Sequence, residues 1–433
     1  MNILFQCNST VSMMESIPVQ KLQKAKPLSD IPSPPAWPFV GHLPFLMKKD
    51  TQDRMDKAFD GLREEFGDIF RLKLPGHGNM VVIFRPEDIK TLYMNEGKNP
   101  IVPAFQNLEN IRKTVMKDRY ASCGLLNNGE DWCKVRHLVQ QDMMRPKSAL
   151  YYIPEMEEIA GELVKKINMV KDKDDLLDPS EVLHEYAAEA VGSVFMGARL
   201  GALQGMEDGR RLIKNQEQAM LEYMKIFLFP PYLAPYHPAY WKFVALCNVN
   251  FDICKKYVDQ AIARGTHTDE SVMAKLVRKC GKDSPIPLIM VIDTLQVGID
   301  TTGSTATLLL YHLASNQDKQ ERLYQEICDV LGPNGQMTEA ALSKMKYLKA
   351  CQTESQRILP ATFGSSRLTT QDMVFGDYQI PAGTTVFRCG SSSNDPNNFT
   401  NPEKFLPERW LRGCPERHNA HSFANTPFGH GAR

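Results

Sequence analysis

The most informative segment of this 433-residue sequence reads Phe428-Gly429-His430-Gly431-Ala432-Arg433. Its spelling is F-x-x-G-x-R, and Gly431 indicates a tight turn between the aromatic residue and the arginine. Six residues are weak evidence by themselves, because short motifs occur often by chance. The prediction therefore depends on the motifs that precede this segment, and on their order along the chain.

A long apolar segment that begins near Pro287 is interrupted at its centre by weak helix formers, among them Gly298, Asp300 and Thr301. We predict a helix in which the Thr301 hydroxyl bonds the carbonyl of Val297 and loosens the turn. Gly298, lacking a side chain, is predicted to let a flat cofactor approach. An acid beside an alcohol can relay protons through water. A plain helix with back-bonded threonines is the alternative that this segment alone leaves open.

Glu354 and Arg357 stand three residues apart, so they share one face of a predicted helix and can form a charge-assisted pair. The same E-x-x-R spelling occurs at Glu109–Arg112, where we expect a solvated surface pair. The pair at Glu354 is distinguished by Arg367 ten residues after Arg357, and by Pro407-Glu408-Arg409-Trp410 further on.

Taken together, these motifs resemble the cytochromes P-450, the haem-thiolate monooxygenases, over almost the whole chain. The resemblance implies a mainly α fold with small β-sheets and haem b, iron protoporphyrin IX, as cofactor. The complete family pattern is F-x-x-G-x-R-x-C-x-G, so the axial cysteine is expected two residues after Arg433, and no residue of this chain is a predicted metal ligand. We therefore expect a chain truncated at its C-terminus, without the last helix and final strands, and inactive by itself.

The resemblance also implies roles for the motif residues. Asp300 and Thr301 are the predicted catalytic pair that delivers protons to O2. A buried structural network of Glu354, Arg357 and Arg409 is expected to brace the loop that contains the thiolate. Buried charges of this kind must be fully paired to be tolerated. The predicted cofactor-binding residues, of which the basic ones would bind haem propionates, are Trp132, Arg136, Gly298, Arg367, Phe428, Gly431 and Arg433.

Secondary structure follows the residue patterns. Strands are predicted at Phe70–Leu74 and Met80–Phe84, and strand-like alternation returns at Met373–Val386, so the sheet should combine both ends of the chain. Between them, residues 88–348 read as overwhelmingly helical. The segment Ile226–Leu233 fits equally well a loop over a hydrophobic entrance or buried packing.

The chain divides into a leader at residues 1–30, a proline-rich hinge at 31–45 and a single domain at 46–433. The leader reads as a weak mitochondrial transit segment. It contains no run of the ~20 apolar residues that a membrane-spanning helix needs. By resemblance we expect the protein to lie on the matrix side of the mitochondrial inner membrane and to contact that membrane peripherally.

Composition restricts the partners. With 51 basic and 51 acidic residues the chain has no net charge, which argues against nucleic acid. Ten cysteines without a C-x-x-C pair indicate reduced thiols and an intracellular compartment.

The substrate pocket is expected, by resemblance, to be formed by four segments that are mostly apolar. They are residues 103–126, 227–236, 292–296 and 361–366. They predict a small lipophilic substrate, sterol-like or xenobiotic.

Electrons would come from an acidic ferredoxin that docks on Lys344, Lys346 and Lys349, by resemblance to the mitochondrial members of the family. A solvated helix start is the simpler alternative for these lysines. Thr353 stands where those members commonly carry a further lysine, and we expect docking to be weaker or shifted.

Two other hypotheses remain open from the sequence. One is a truncated, haem-free and non-catalytic protein that at most binds a ferredoxin or lipid. The other is an enzyme that rearranges peroxides without external electrons, against which the intact Asp300–Thr301 pair argues.

Overall fold

The computed structural model describes residues 24–432, except 76–77, 121–123, 144–145, 172–177, 228, 266–269, 334 and 416–419. Most of the predicted leader and Arg433 lie outside the described residues. The described part is mainly helical with small sheets, which confirms the predicted fold class. None of its helices combines the length and the apolar character needed to cross a membrane.

The helices occupy the middle of the chain, in agreement with the periodicity of residues 88–348. They are α1 Leu43–Leu46, α2 Lys49–Asp53, α3 Met55–Phe66, α4 Pro86–Met94, α5 Gln106–Thr114, α6 Lys117–Tyr120, α7 Gly129–Met143, α8 Pro146–Leu150, α9 Ile153–Val170, α10 Pro179–Met196, α11 Glu207–Ile226, α12 Pro238–Arg264, α13 Val272–Cys280, α14 Ile286–Ala314, α15 Gln317–Leu331, α16 Glu339–Lys344 and α17 Lys346–Ile358.

Helix α14 has 29 residues and packs against α10, α12, α13 and α17. Its two central glycines face α10. A Cβ at Gly298 would lie 3.1 Å from Cγ2 of Val191, and one at Gly303 would lie 2.8 Å from the ring of His184. The missing side chain of Gly298 therefore lets two helices approach closely, and its place beside a cofactor stays a prediction.

Two small sheets flank the helical body. The larger has the order β1-β2-β6-β3, in which β2 and β6 run parallel and the other pairs antiparallel, and the smaller pairs β4 with β5. The predicted combination of both chain ends in one sheet is confirmed. The strands are β1 Ile69–Leu74, β2 Gly78–Ile83, β3 Gly364–Leu368, β4 Met373–Phe375, β5 Tyr378–Ile380 and β6 Thr385–Cys389.

The proline-rich hinge is bonded to the edge of the larger sheet. The amide of Arg71 donates to the carbonyl of Pro32 at 2.8 Å, and the amide of Lys73 donates to Nδ1 of His42 at 2.8 Å. Gly41 adopts φ +57°, and a Cβ there would overlap the carbonyl oxygen of Lys73. The hinge is therefore packed on β1, where the sequence predicted a stiff spacer between leader and domain.

The segment Ile226–Leu233 leads from the end of α11 towards α12. Its start is anchored, since the side-chain amide of Asn107 donates to the carbonyls of Ile226 and Phe229, each at 2.8 Å. Its end is open to solvent, where Tyr232 is exposed.

An aromatic cluster joins α3 to the larger sheet. The ring of Phe59 is buried and lies 6.2 Å from Phe70, 5.3 Å from Phe363 and 5.7 Å from Phe387, measured between centroids. We predict that Phe59→Ala lowers the free energy of unfolding by about 3–5 kcal/mol, because it leaves a cavity in this cluster. Denaturant unfolding measures the change. The matched control is Tyr324→Ala at an exposed aromatic on α15, with an effect within about 0.5 kcal/mol.

Candidate active site

One face of α14 presents Val297 and Thr301 to solvent, with Val297 43% exposed. The hydroxyl of Thr301 donates to the carbonyl of Val297 at 2.6 Å, as predicted from the sequence. Thr305 repeats the pattern by donating to the carbonyl of Thr301 at 2.6 Å. Because both hydroxyls bond backbone oxygens, their own oxygens can still accept a hydrogen bond from a bound group.

Asp300 is half-buried on the same helix, one residue before Thr301. Burial raises the pKa of its carboxyl, and the charge of Glu217 adds to the rise, while His184 opposes it. An acid with a raised pKa gives and takes a proton closer to neutral pH than an exposed aspartate does. Asp300 and Thr301 are successive residues of α14, and their joint role in proton delivery stays a prediction.

The Glu354 carboxylate is fully buried and bonds both arginines of the predicted network. Arg357 donates to it through Nε at 2.9 Å and Nη2 at 2.8 Å, and Arg409 through Nε at 2.9 Å. Trp410 adds a bond from its indole nitrogen at 2.8 Å. The predicted association of Glu354, Arg357 and Arg409 is therefore present.

The remaining arginine donors of this network are used by backbone carbonyls. Arg357 donates to Ser393 at 3.0 Å and to Pro402 at 2.8 Å, and Arg409 donates to Thr400 at 3.1 Å. These bonds compensate for the desolvation of two buried guanidinium groups. They also attach residues 393–402 to the end of α17.

The turn at Phe428–Ala432 is held by a residue that the sequence interpretation missed. The buried carboxylate of Glu96 accepts from the amide of Ala432 at 2.7 Å, and a Cβ at Gly431 would overlap Glu96 Oε1. Gly431 has φ +95°, which confirms the predicted tight turn. Glu96 follows α4, and no spacing rule connects it with a turn more than 330 residues later.

Glu96 also accepts a hydrogen bond from Nε of Arg367 at 2.6 Å. Nη1 of Arg367 donates to the carbonyl of Ser366 at 3.0 Å, and the guanidinium lies over the ring of Tyr93. Nη2 makes no hydrogen bond to another residue in the described part of the chain. A fixed, largely buried guanidinium with one donor left fits the carboxylate of a haem propionate.

Three other predicted cofactor residues lie on α7 and in the turn at Phe428–Ala432. Trp132 is buried and Arg136 half-buried, four residues apart on α7. Phe428 is half exposed, on the rim of a cleft of about 1550 Å³ between the turn and helices α15 and α17. Arg433 lies outside the described residues.

The predicted docking lysines Lys344, Lys346 and Lys349 are all exposed, at the end of α16 and the start of α17. Lys346 and Lys349 lie on the rim of the same cleft, together with Thr353. Their positive charges are therefore accessible to an acidic surface.

The interpretation of Glu109–Arg112 as a solvated surface pair is wrong. Arg112 is 1% exposed and pairs with Asp293 of α14, whereas Glu109 pairs with Lys113. Helical spacing brings residues three apart onto one face, but it does not decide which of them points inward.

The chain is similar to known proteins over almost its whole length. The sequence profile of the family Cytochrome P450 matches residues 31–433. The chain is 30% identical to probable cytochrome P450 49a1 of Drosophila melanogaster, over 94% of this chain and 74% of the relative. It is 31% identical to cytochrome P450 CYP12A2 of Musca domestica, over 99% and 85%, and 30% identical to probable cytochrome P450 12a5, mitochondrial, of Drosophila melanogaster, over 95% and 82%.

The Glu354 network generates a stability prediction. We expect Glu354→Ala to lower the free energy of unfolding by about 3–5 kcal/mol, because it leaves two buried guanidinium groups without their carboxylate. Denaturant unfolding measures the loss. The control is Asp259→Ala, which breaks the exposed pair with Lys255 and should cost under about 0.5 kcal/mol. Equal effects of the two substitutions would contradict the assigned role of the network.

Proposed function

Because the chain belongs to the cytochrome P450 family, we propose that it inserts one oxygen atom of O2 into a small lipophilic substrate, sterol-like or xenobiotic, with electrons from an acidic ferredoxin. Members of this family are haem-dependent monooxygenases, oxidoreductases that act on paired donors with O2. The observation that carries the proposal is the exposed hydroxyl of Thr301, bonded to the carbonyl of Val297, with half-buried Asp300 as the preceding residue of α14.

Haem ligated by a cysteine thiolate supplies the electron-rich iron that favours O–O cleavage. We place that thiolate two residues after Arg433, from the F-x-x-G-x-R spelling of the preceding turn. The residues that would hold the propionates are Trp132, Arg136, Arg367 and Arg433. The support for Arg367 is its fixed guanidinium with a remaining donor.

Asp300 and Thr301 are proposed to hold and deliver the protons that O2 reduction requires. Thr301 Oγ1 donates to Val297 and can accept a hydrogen bond at its lone pairs. Asp300, with its raised pKa, can be protonated closer to neutral pH and so restore that proton. Glu354, Arg357 and Arg409 are proposed to brace the loop that contains the thiolate.

Electron delivery is proposed to use the exposed Lys344, Lys346 and Lys349 as the docking surface for a ferredoxin. Clustered like charges steer an oppositely charged partner and raise its association rate. Relatives whose names describe them as mitochondrial, such as probable cytochrome P450 12a5, support this class of donor and a mitochondrial location on the matrix side of the inner membrane.

Peripheral membrane contact is supported by exposed apolar residues around the connection from α11 to α12. Tyr232, Leu233, Tyr236 and Trp241 are all exposed there, with Tyr236 85% exposed. Tyrosine and tryptophan side chains favour the membrane–water interface, because each has an apolar body and a polar tip. Such contact would bring a lipophilic substrate to the entrance.

The proposal is tested on the haem-loaded complete protein, whose chain contains the cysteine expected two residues after Arg433. We expect the reduced carbon monoxide complex to absorb near 450 nm, the signature of thiolate ligation, and we expect product formation with a ferredoxin and its reductase. A complex that absorbs only near 420 nm would contradict thiolate ligation. Turnover with a flavoprotein reductase but none with a ferredoxin would contradict the proposed electron donor.

The raised pKa of Asp300 gives a prediction with two readouts. We expect Asp300→Asn to slow product formation by about 10–100-fold, the range for losing a positioned acid. Burial raises the pKa of Asp300, so the folded protein holds this proton more tightly than the unfolded chain does. As the pH rises through the folded-state pKa, the buried carboxyl becomes charged and the free energy of unfolding falls. The variant should therefore be more stable than the wild type at neutral pH, and this difference should shrink towards acid pH. A less stable variant at neutral pH would contradict the assigned burial.

The docking lysines give a second prediction. Replacing Lys346 and Lys349 by Gln should raise the KM for ferredoxin by about tenfold and weaken its dependence on ionic strength, with kcat at saturating ferredoxin little changed. Steady-state rates at two salt concentrations measure this. Lys165→Gln, an exposed lysine on α9, is the control and should leave KM unchanged. An unchanged KM in the double variant would remove these lysines from the docking surface.

A further inference from the structure

Asp300 lies between two faces of α14 that have different surroundings. Successive residues of an α-helix are turned by about 100°, so Asp300 is about 60° from Gly303 in one direction and about 100° from Thr301 in the other. Gly303 faces α10, whereas Thr301 lies on the exposed face. The half-buried carboxyl of Asp300 is therefore placed between the contact with α10 and the face that carries the Thr301 hydroxyl.

The imidazole of His184 lies against α14 at Gly303, one turn beyond Asp300. A Cβ at Gly303 would be only 2.8 Å from Cγ and 2.9 Å from Cδ2 of this ring, so the missing side chain lets the ring approach the helix backbone. His184 is half-buried on α10, which packs closely along α14. An ionisable group of α10 therefore reaches the part of α14 that contains Asp300.

One nitrogen of His184 is held by the backbone. Nδ1 lies 2.7 Å from the carbonyl oxygen of Ser180. Because a carbonyl oxygen only accepts, Nδ1 carries a hydrogen, and Nε2 is left as the nitrogen that gains and loses a proton. The contact with Ser180 therefore fixes the tautomer, as a group that transfers protons requires.

Two charged side chains act on the carboxyl of Asp300 from neighbouring helices. Burial is the main cause of its raised pKa, the charge of His184 opposes the rise, and the charge of Glu217 adds to it. Glu217 is exposed on α11, and the preceding residue, Gln216, donates to the carbonyl of Gln296 at 2.8 Å, one turn before Asp300. An imidazole on α10 and a carboxylate on α11 therefore lie near this acid.

The proposed reaction consumes protons that have to come from solvent. Inserting one oxygen atom of O2 releases the other as water, which needs protons in addition to the electrons from the ferredoxin. Histidine takes up and gives off protons near neutral pH, whereas an exposed glutamate is almost always ionised there. No ion pair joins His184 to Asp300 within the described ranges, so a proton that moves between them passes through water.

We propose that Nε2 of His184 passes protons from solvent to the carboxylate of Asp300. In each transfer the imidazolium loses the proton on Nε2, the carboxylate becomes a carboxylic acid, and the neutral imidazole takes a new proton from water. His184 acts through Asp300 and is therefore a positioning residue for the O2 chemistry. The inference rests on the proposed function and adds to it the route by which protons enter.

The test uses the haem-loaded complete protein with 7-ethoxycoumarin as a small lipophilic probe. His184→Gln keeps a donor for the Ser180 carbonyl and a side chain of similar size, but it cannot carry a proton to Asp300. The matched control is His137→Gln on α7, because His137 is exposed and its Nδ1 likewise lies 2.8 Å from the carbonyl oxygen four residues earlier.

Two oxygen sources separate proton supply from structural damage. With O2, ferredoxin and its reductase, we expect His184→Gln to slow product formation by about tenfold and to raise the solvent deuterium isotope effect on kcat. With hydrogen peroxide the oxidant brings its own protons, since RH and H2O2 give ROH and H2O, and the variant should keep the wild-type rate. A structural defect would slow both reactions equally. The His137 control should match the wild type in both.

A double-mutant cycle tests whether His184 acts through Asp300. Adding His184→Gln to Asp300→Asn should cost little further rate with ferredoxin, whereas independent contributions would multiply. A multiplied loss overturns the inference, and so does an unchanged ferredoxin rate in His184→Gln or an equal loss with peroxide. A loss in Glu217→Gln that His184→Gln does not show would place the proton route along α11 instead.

Failure of this inference is distinguishable from failure of the proposed function. If the wild type oxidises the probe with ferredoxin and His184→Gln does so equally fast, only the proton route is wrong. If the wild type forms no product from either oxygen source and the carbon monoxide signature is absent, the proposed function fails and the proton route fails with it.

Discussion

The carboxylate of Glu354 is the centre on which the cofactor side of this protein depends. It is fully buried and accepts hydrogen bonds from Arg357, Leu406, Arg409 and Trp410, so α17 and residues 406–410 converge on two oxygen atoms. Desolvating these charges is tolerable only while every partner is in place. The network therefore fixes α17 and residues 393–410 relative to each other.

Different residues at the centre of helix α14 meet two requirements. Gly298 and Gly303 allow α10 to approach closely, while Val297 and Thr301 face outward, away from that contact. The weak centre of the helix could be predicted from composition, because glycine, aspartate and threonine are poor helix formers. Which face each residue occupies depends on where α10 packs, and a single helix sequence does not contain that information.

Local spacing predicted local structure well and distant partners poorly. The strands, the long helices and the turn at Gly431 follow from residue patterns that extend over a few positions. The partners of Glu96 and Arg112 lie far away in the chain, at Ala432 and Asp293. No periodicity of the sequence connects such distant positions. The spelling E-x-x-R is the same at residues 109–112 and at residues 354–357, but only in the second does the glutamate pair with the arginine three residues later. The family resemblance supplied the network that spacing alone could not.

The two buried arginine systems differ in how completely their hydrogen-bond donors are used, and that difference decides how much each stabilises the fold. Around Glu354, backbone carbonyls of Ser393, Pro402 and Thr400 take the arginine donors that the carboxylate leaves. At Asp293 the desolvation of Arg112 is equally severe, yet Nη1 remains without a partner among the described residues. A buried N–H without a partner costs about 1–3 kcal/mol. The Arg112–Asp293 pair therefore adds less to the free energy of unfolding than the Glu354 network, where carbonyls compensate for the desolvation of the arginines.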